Sequence, residues 1–309
     1  MASDAVDDQA VVHVRPELEK ADVTTATVGD VERQLSLFER VSNFDPVRKF
    51  SVLVSVVVVW QLYTVIAHVP ALIFPTFSST VEALANAFVN EGLLINVWNS
   101  LSVLLIGYAI GIAIAAVLVV LGVATRFGGD LLTTLTAMLN PLPAIALLPM
   151  AMIWFGLGNN AIIFTLLHSI VWPVALNTHA GFQSVSETMR MVGRNYGLRG
   201  LPFIYKVLIP AAFPSILTGL RIGWAFAWRT LIAAELVFGG SVMDTSGMLG
   251  AKGSNAGGLG WVIFQNQMDL RISYVFAGLF TVILVGLIIE NGIFRNIEEH
   301  TVKKWGMQR

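Results

Sequence analysis

Residues 131–186 read LLTTLTAMLNPLPAIALLPMAMIWFGLGNNAIIFTLLHSIVWPVALNTHAGFQSVS, a run without a single Asp, Glu, Lys or Arg. A helix needs about 20 apolar residues to cross the hydrocarbon core of a bilayer, so this run is too long for one crossing. The turn-forming sequence GLGNN at 156–160 divides it into two predicted spans, near 132–155 and 161–179. Both spans must be helical, because lipid cannot hydrate exposed backbone amides and carbonyls.

Four further apolar segments complete the predicted membrane domain, which we place at 49–295. They lie near 51–67, 97–124, 211–238 and 273–290. Of all residues, 55% are hydrophobic and only 13% are charged, and the mean hydropathy is +0.72, whereas soluble domains carry about 25% charged residues. The sequence therefore predicts an all-α integral membrane protein with about six transmembrane helices in the lipid bilayer.

Net charge and cysteine count exclude several other classes of protein. The formal net charge is −1, which leaves no basic surface for nucleic acid. The chain has no cysteine, so disulfides, thiolate metal sites and cysteine nucleophiles are excluded. It also lacks a phosphate-binding loop and a recognisable catalytic cluster. We therefore expect a non-catalytic chain that binds no metal or cofactor itself.

The distribution of Lys and Arg near the span ends predicts the orientation in the membrane. One side of the predicted topology carries only Lys252 and Arg271. Near the span ends the other side carries twelve basic residues, which are Arg40, Arg48, Lys49, Arg126, Arg190, Arg194, Arg199, Lys206, Arg295, Lys303, Lys304 and Arg309. Both termini are therefore predicted to be cytoplasmic, with a disordered polar tail at 1–48 and a second tail at 296–309. Because the first tail holds no apolar run, the first span is expected to be a retained anchor.

The connection between the fourth and fifth spans is longer than a helix–helix link needs to be. Ser186 followed by Glu187 predicts the start of a short helix over 186–196, and Gly197 permits a sharp bend. Pro202 suits the first turn of a second short helix, and Pro210 is expected to break that helix before the fifth span begins. The product is a helix–turn–helix hook at 184–209, which we expect to dock into a groove on a soluble partner.

This hook resembles the cytoplasmic loop of the inner-membrane permeases of binding-protein-dependent ABC importers, of the branch that handles nitrate, taurine and alkanesulfonates. The ending VLIP at 207–210 places Gly197 on the family glycine and Met191-Val192-Gly193 on the family's Glu-Ala-Ala, so this chain departs from the acidic start of that motif. The resemblance covers roughly 50–295. Its other ordered matches are NPLPA at 140–144, LLP at 147–149, IWFGLG at 153–158, LNT at 176–178, LTGLR at 217–221, AWR at 227–229 and AAEL at 233–236.

The resemblance implies an ABC importer permease fold with a cytoplasmic coupling helix, in a bacterial or archaeal plasma (inner) membrane. The implied partners are an ABC ATPase, which would hold the ATP and Mg²⁺, and an external solute-binding protein, which would select the solute. Since six spans enclose little space, a homodimer of permeases is expected to form the path. The residues implied to couple to the ATPase are Glu187, Met191, Val192, Gly193, Gly197, Val207, Ile209 and Pro210.

Charged residues inside the predicted spans are candidates for the transport pathway or its gate. The fifth span contains three full charges, Arg221, Arg229 and Glu235, and such residues normally face a bundle interior or an aqueous path. Arg221 lies close enough to the span end to snorkel. Arg229 and Glu235 are about 240° apart around the helix and cannot easily pair, so each is expected to bond to another helix or across a dimer interface. The pathway or gate candidates are Arg221, Arg229, Glu235, Pro143 and Asn177.

Three other features each allow two interpretations. Pro141, Pro143 and Pro149 bend the third predicted span, either as a packing kink or to line a cavity. Gly107 and Gly111 favour close helix approach, although this spacing also occurs by chance. His168 and His179 lie in or near the fourth span, where packing or hydrogen bonding is favoured over a metal site, which would need further ligands.

The sequence as a whole favours a permease for a small solute, expected to be an anion such as nitrate, taurine or an alkanesulfonate. Its two access states would be driven by ATP in the partner ATPase. A secondary transporter driven by an ion gradient is the alternative, and it would need an intramembrane acidic site, for which Glu235 is the candidate. A membrane enzyme is the other alternative, and it would need a polar catalytic cluster near the interface.

Overall fold

The structure is a computed structural model that describes residues 45–238 and 257–304. Every regular element in these two ranges is helical, which confirms the predicted fold class. The predictions for 1–44 and for 305–309 fall outside the described residues, as does most of the Gly/Ser-rich segment 239–260. Contacts divide the chain at Val56, so the residues before and after that point are described separately.

The first and third helices correspond to the first two predicted spans, and a shorter helix lies between them in sequence. Helix α1 runs Asp45–Ile66, α2 runs Phe77–Val89 and α3 runs Leu93–Ala124. The hydroxyl of Thr76 accepts a hydrogen bond from the amide of Ser79 and so caps the start of α2. In the C-terminal part of α1, the indole of Trp60 donates to the carbonyl of Pro75 at 2.9 Å.

The predicted third span is broken in the structure. Helix α4 (Arg126–Leu139) is followed by a short 3₁₀ turn (Ala144–Leu147) and by α5 (Leu148–Phe155), and the two helical parts meet at 90°. The predicted span 132–155 is therefore corrected to a broken pair. The cause is local, because Pro141 and Pro143 supply no backbone N–H and Pro143 adopts extended dihedral angles.

Helices α6 (Asn159–Gln183) and α9 (Ile209–Phe238) form the centre of the unit that follows Val56. In its most apolar window 61% of α6 is buried, against 33% for α3. The glycines at 107 and 111 allow α3 to approach α6, since a Cβ at either position would press on Leu166 or Ile170. Close helix approach, predicted from the glycine spacing, is thus confirmed with α6 as the partner.

The hook joins α6 to α9. It consists of α7 (Glu187–Asn195), α8 (Leu201–Phe203) and a π-helical segment (Ile204–Leu208) that runs directly into α9. The predicted break at Pro210 is therefore wrong. In the π segment the amide of Ile209 bonds to the carbonyl of Ile204, and this wider turn accommodates a proline that lacks an amide donor.

The remaining elements are α10 (Leu259–Met268) and α11 (Ile272–Ile289), followed by π segments at Glu290–Phe294 and Glu299–Lys303 around α12 (Arg295–Glu298). The sixth predicted span thus continues as helix beyond its predicted end at 290. Within the described residues five helices are long and apolar enough to cross a membrane, or six when the broken pair is one span.

Candidate functional site

Arg190 fastens the first helix of the hook to the end of α6. Its Nη2 donates to the carbonyl of Phe182, and its Nε donates to the carbonyl of Val185 at 3.1 Å. The last carbonyls of a helix have no intrahelical partner and carry partial negative charge, so a guanidinium is stabilising there. The hydroxyl of Ser186 caps α7 by accepting from the amide of Met189 at 3.4 Å. These contacts fix the direction in which α7 leaves α6.

The two arms of the hook pack against each other through a glycine. A Cβ at Gly193 would stand 2.9 Å from Phe203 Cε2 and 3.0 Å from Val207 Cγ2. Gly197 has φ +74°, a value that favours glycine, and its amide bonds to the carbonyl of Arg194 at 2.9 Å. The sequence-predicted residues Gly193, Gly197 and Val207 therefore shape the hook itself.

The outer face of the hook is apolar and exposed. The exposed side chains include Met191 at 54%, Val192 at 49% and Tyr196 at 81%, together with Met189 and Tyr205. Glu187 is exposed at the start of α7, while Ile209 and Pro210 are exposed at the start of α9. Exposed apolar side chains concentrated on one short polar helix are typical of a surface that a partner covers. We call Met189, Met191, Val192 and Tyr196 together the docking face.

Glu235 lies in a buried polar cluster at the end of α9 remote from the hook. Its side chain is 1% exposed. The hydroxyl of Ser100 donates to its two carboxylate oxygens, at 2.7 and 2.9 Å, and the amide of Gly260 donates at 2.7 Å. The amide of Leu259 in turn donates to the Ser100 oxygen at 2.8 Å. The expected bond to another helix is thus present. The first two amides of α10 are satisfied, that of Leu259 by the Ser100 hydroxyl and that of Gly260 by the carboxylate.

Asparagines of α3 reinforce this attachment. The side-chain amides of Asn96 and Asn99 donate to the carbonyl of Gly257 at 2.7 and 3.2 Å. There is no room for a side chain at Gly260, because a Cβ there would stand 2.6 Å from the Cβ of Glu235. The cluster holds α10 against α3 and α9. Sequence reasoning named Glu235 but missed Ser100, Asn96 and Asn99, which are polar residues in an otherwise apolar span.

Arg221 is paired with carboxylates rather than left free. Its Nε lies 2.7 Å from Glu290 Oε1 and its Nη2 lies 3.4 Å from Glu298 Oε2. The side chains of Arg221 and Glu290 are 37% and 42% exposed, so each pair contributes little to stability, about 0–1 kcal/mol. The pairs connect α9 to the helical segment that follows α11. Sequence reasoning assigned no role to Glu290 or Glu298.

Arg229 and Pro143 line one cavity. This cavity has a volume of about 370 Å³ and lies between the break in α4–α5 and the facing sides of α6 and α9. Arg229 is exposed, and no salt bridge to it is found within 45–238 and 257–304. The cavity lining also includes Asn140, His168 and Thr230. Two of the five pathway candidates are therefore brought together.

The other candidates lie elsewhere. Asn177 is outside that lining, and its amide donates to the carbonyl of Pro173 in its own helix at 2.8 Å. His179 is buried and its Nε2 lies 2.9 Å from the side-chain nitrogen of Gln183. In the part of the chain that the structure describes, no three His, Cys, Asp or Glu side chains are grouped as a metal site would require.

Apolar helices around a cavity that holds an arginine, with a hook fastened to two of these helices, are typical of a polytopic membrane permease. Residues 107–298 match the family described as the binding-protein-dependent transport system inner membrane component. Since this match covers more than half of the chain, the protein belongs to that family of ABC permeases. The resemblance inferred from the hook is thereby confirmed, and the match includes the hook, the cavity and Glu235, whereas Asn96, Asn99 and Ser100 precede the matched range.

Several curated permeases are similar to this chain. An ABC transporter permease protein of Methanocaldococcus jannaschii is 31% identical over 84% of this chain and 92% of its own length. A protein named as an aliphatic sulfonates transport permease of Escherichia coli is 32% identical over 60% of this chain and 70% of its own. The nitrate import permease of a Synechocystis strain is 29% identical over 67% of this chain and 70% of its own. As a member of a permease family with several apolar helices, the chain is a multi-pass protein of the inner membrane.

Proposed function

We propose that this chain is the pathway subunit of an ATP-driven importer that carries a small oxyanion into the cytoplasm. The observation that carries the proposal is the hook, whose α7 is bonded to the end of α6 and whose α8 continues into α9. Any partner that moves the hook therefore moves both central helices. The names of two similar permeases, for aliphatic sulfonates and for nitrate, support an oxyanion as the solute.

In this proposal the docking face contacts an ABC ATPase in the cytoplasm. The positions of Lys and Arg in the sequence support an orientation with the hook and both termini on that side. ATP and Mg²⁺ are held by the ATPase, and this chain binds no cofactor and performs no catalysis. ATP binding and hydrolysis in the partner interconvert two access states of the path.

Two copies of this chain form the path, and an external solute-binding protein delivers the anion to it. A homodimer with twofold symmetry is the simplest arrangement, because the two copies then enclose a path between identical surfaces. The binding protein makes the main selection among anions. No observation favours the alternative of a secondary transporter, because Glu235, the acidic residue on which it depended, is engaged by Ser100 and Gly260.

Co-purification with the partner ABC ATPase tests the hook. The double variant Met191→Glu, Val192→Glu places two charges on the docking face and is expected to abolish ATPase recovery with the tagged full-length chain. Ile297→Glu is the matched control, since Ile297 is also an exposed apolar residue and lies far from the hook in sequence. Normal ATPase recovery with the double variant would contradict the proposal.

Uptake of nitrate and of methanesulfonate in cells tests the energy source and the solute class. Cells that contain this chain, the ATPase and the binding protein are expected to take up at least one of the two anions. An ATPase whose catalytic residues are removed should abolish that uptake. Persistent uptake without ATP hydrolysis would instead establish a different energy source.

A further inference from the structure

We propose that the cavity beside Arg229 is an oxyanion-binding site within the membrane, where the solute rests during transport. This inference rests on the proposed function, because it names the place in the pathway that the anion occupies. The cavity is bounded by three parts of the chain, which are the broken segment 140–145, the middle of α6 and one face of α9. The position of the cavity supports a site within the membrane, and its charge and hydrogen-bond donors indicate an anion as the ligand.

The position of the cavity is close to the middle of the membrane. Ser169 and Thr230 join α6 to α9 at this level, with 2.9 Å between their hydroxyl oxygens. Ser169 is ten residues from the start of α6 at Asn159 and fourteen from its end at Gln183, which corresponds to about 15 and 21 Å along the helix axis. Since the hydrocarbon core is about 30 Å thick, the cavity lies well inside it.

Arg229 is a positive charge at this depth. It is exposed, and the described residues supply no salt bridge to it. Within a bilayer such a side chain is tolerated where it faces water or a polar path rather than lipid. Phe226, Arg229, Thr230 and Ala233 follow one another at helical spacing, so they form one stripe of α9 that faces the cavity.

The side chains around the cavity are suited to binding an anion. No Asp or Glu lines it. The guanidinium of Arg229 presents a planar set of donors that fits two oxygens of one anion. Asn140 contributes an amide, and the Nε2 of His168 is buried without a hydrogen-bond partner among the residues described.

The size and the walls of the cavity restrict the ligand. Its volume of about 370 Å³ is at the small end of ligand pockets, which range over roughly 300–1,000 Å³. Leu142, Ile145 and Phe226 provide apolar walls next to the polar groups. A single small oxyanion fits this combination, either nitrate or a sulfonate with a short alkyl chain that contacts the apolar walls.

Cysteine modification tests the site directly, because the chain has no cysteine of its own. Ala233→Cys places a thiol one helical turn from Arg229. The full-length variant, reconstituted in lipid vesicles, is treated with 2-sulfonatoethyl methanethiosulfonate, which is an alkanesulfonate, or with the trimethylammonium reagent of similar length. Leu284→Cys is the control, since Leu284 is exposed on α11 and does not line the cavity. Phe226→Cys serves as a second reporter if Ala233→Cys does not assemble.

We expect the anionic reagent to modify Ala233→Cys about tenfold faster than the cationic reagent, because a positive charge in a confined cleft raises the local anion concentration. Nitrate should slow this reaction, and Leu284→Cys should react with neither reagent. In the Arg229→Gln background the preference should fall to near one, whereas Arg229→Lys should retain most of it. Equal rates for both reagents, or a preference that survives Arg229→Gln, would overturn the inference.

The modification experiment needs no ATPase and no binding protein. If the hook variants leave ATPase recovery unchanged but the preference for the anionic reagent persists, the proposed function fails and the anion site stands. If uptake depends on the ATPase but Ala233→Cys shows no preference, the importer function stands and this site is wrong.

Discussion

Gly193 in α7 lies against the ring of Phe203 in α8, so closely that an added Cβ would stand 2.9 Å from Phe203 Cε2. Real Cβ atoms do not approach other side chains to this distance without displacement of one of them. The two arms of the hook can therefore pack this closely only because position 193 has no side chain. This relationship gives a direct way to perturb the hook without changing the docking face.

The substitution Gly193→Ala is expected to push α8 away from α7. Overpacking of this kind costs about 1–3 kcal/mol, and 1.4 kcal/mol corresponds to about a tenfold change in an equilibrium constant. Recovery of the ATPase should therefore fall about tenfold, measured as the apparent Kd of the reconstituted complex. Gly292→Ala is the control, because a Cβ at Gly292 would meet no atom within 4 Å. An unchanged Kd for Gly193→Ala would show that the spacing of the arms does not matter for docking.

Removal of the Arg190 guanidinium should loosen the whole of α7. Arg190→Ala deletes the bonds to the carbonyls of Phe182 and Val185, and hydrogen bonds from a charged group contribute about 1.5–3 kcal/mol when well buried. Because Arg190 is half-buried, we expect a loss of about 1–2 kcal/mol. Hydrogen exchange of the amides at 187–195 should accelerate accordingly. Arg194→Ala, on the same helix but exposed, should leave these exchange rates unchanged.

Removal of the Glu235 side chain should destabilise the protein more than replacement of its carboxylate by a neutral amide. Glu235→Ala leaves buried donors of Ser100 and Gly260 without an acceptor, at about 1–3 kcal/mol each. Glu235→Gln keeps one acceptor for Gly260, and its amide can donate to the Ser100 oxygen. We expect thermal unfolding in detergent to shift markedly for Glu235→Ala and much less for Glu235→Gln. Comparable shifts for the two variants would mean that the negative charge itself is required.

The close approach of α3 and α6 predicts an order of stability among glycine substitutions. A Cβ at Gly111 would stand 2.8 Å from Ile170 Cγ2, whereas one at Gly107 would stand 3.2 Å from the end of Leu166. Gly111→Ala should therefore destabilise by about 1–3 kcal/mol, and Gly107→Ala by less. Gly286→Ala, whose Cβ would lie 3.7 Å from the Trp228 indole, should be neutral or slightly stabilising, because alanine favours helix by about 1 kcal/mol. Thermal unfolding of the three variants distinguishes these outcomes.

The position of most spans follows directly from the sequence, because lipid requires long runs without charged residues and requires them to be helical. The cap at Thr76 and the start of α7 after Ser186 were also predictable from local hydrogen-bond chemistry. By contrast, a proline shows only that a regular helix is disturbed. At 140–143 the disturbance is a 90° break, whereas near Pro210 a π segment absorbs it and the helix continues.

The candidate site, like the fold, was predictable only in part, but the reason is different. A charge inside a span identifies a residue that needs a partner, so Arg221, Arg229 and Glu235 could be named from the sequence. The partners themselves come from distant positions, as Ser100 does for Glu235, and only the packing of helices brings them together. In the hook the packing was easier to predict, because Gly193 and Val207 contact each other within a short stretch of chain and Gly197 makes the bend between them. The role of these residues in docking stays a prediction.

The uninterrupted helix from Leu201 to Val237 has a mechanical consequence. Its 37 residues form a rod about 55 Å long, with Tyr205 near one end, Arg229 further along and Glu235 close to the other end. If such a rod pivots by about 10° around its midpoint, each end travels about 5 Å, in opposite directions. A displacement of the helix at Tyr205 would thus move Glu235 in the opposite direction. At Glu235 the helix contacts Ser100 and the start of α10.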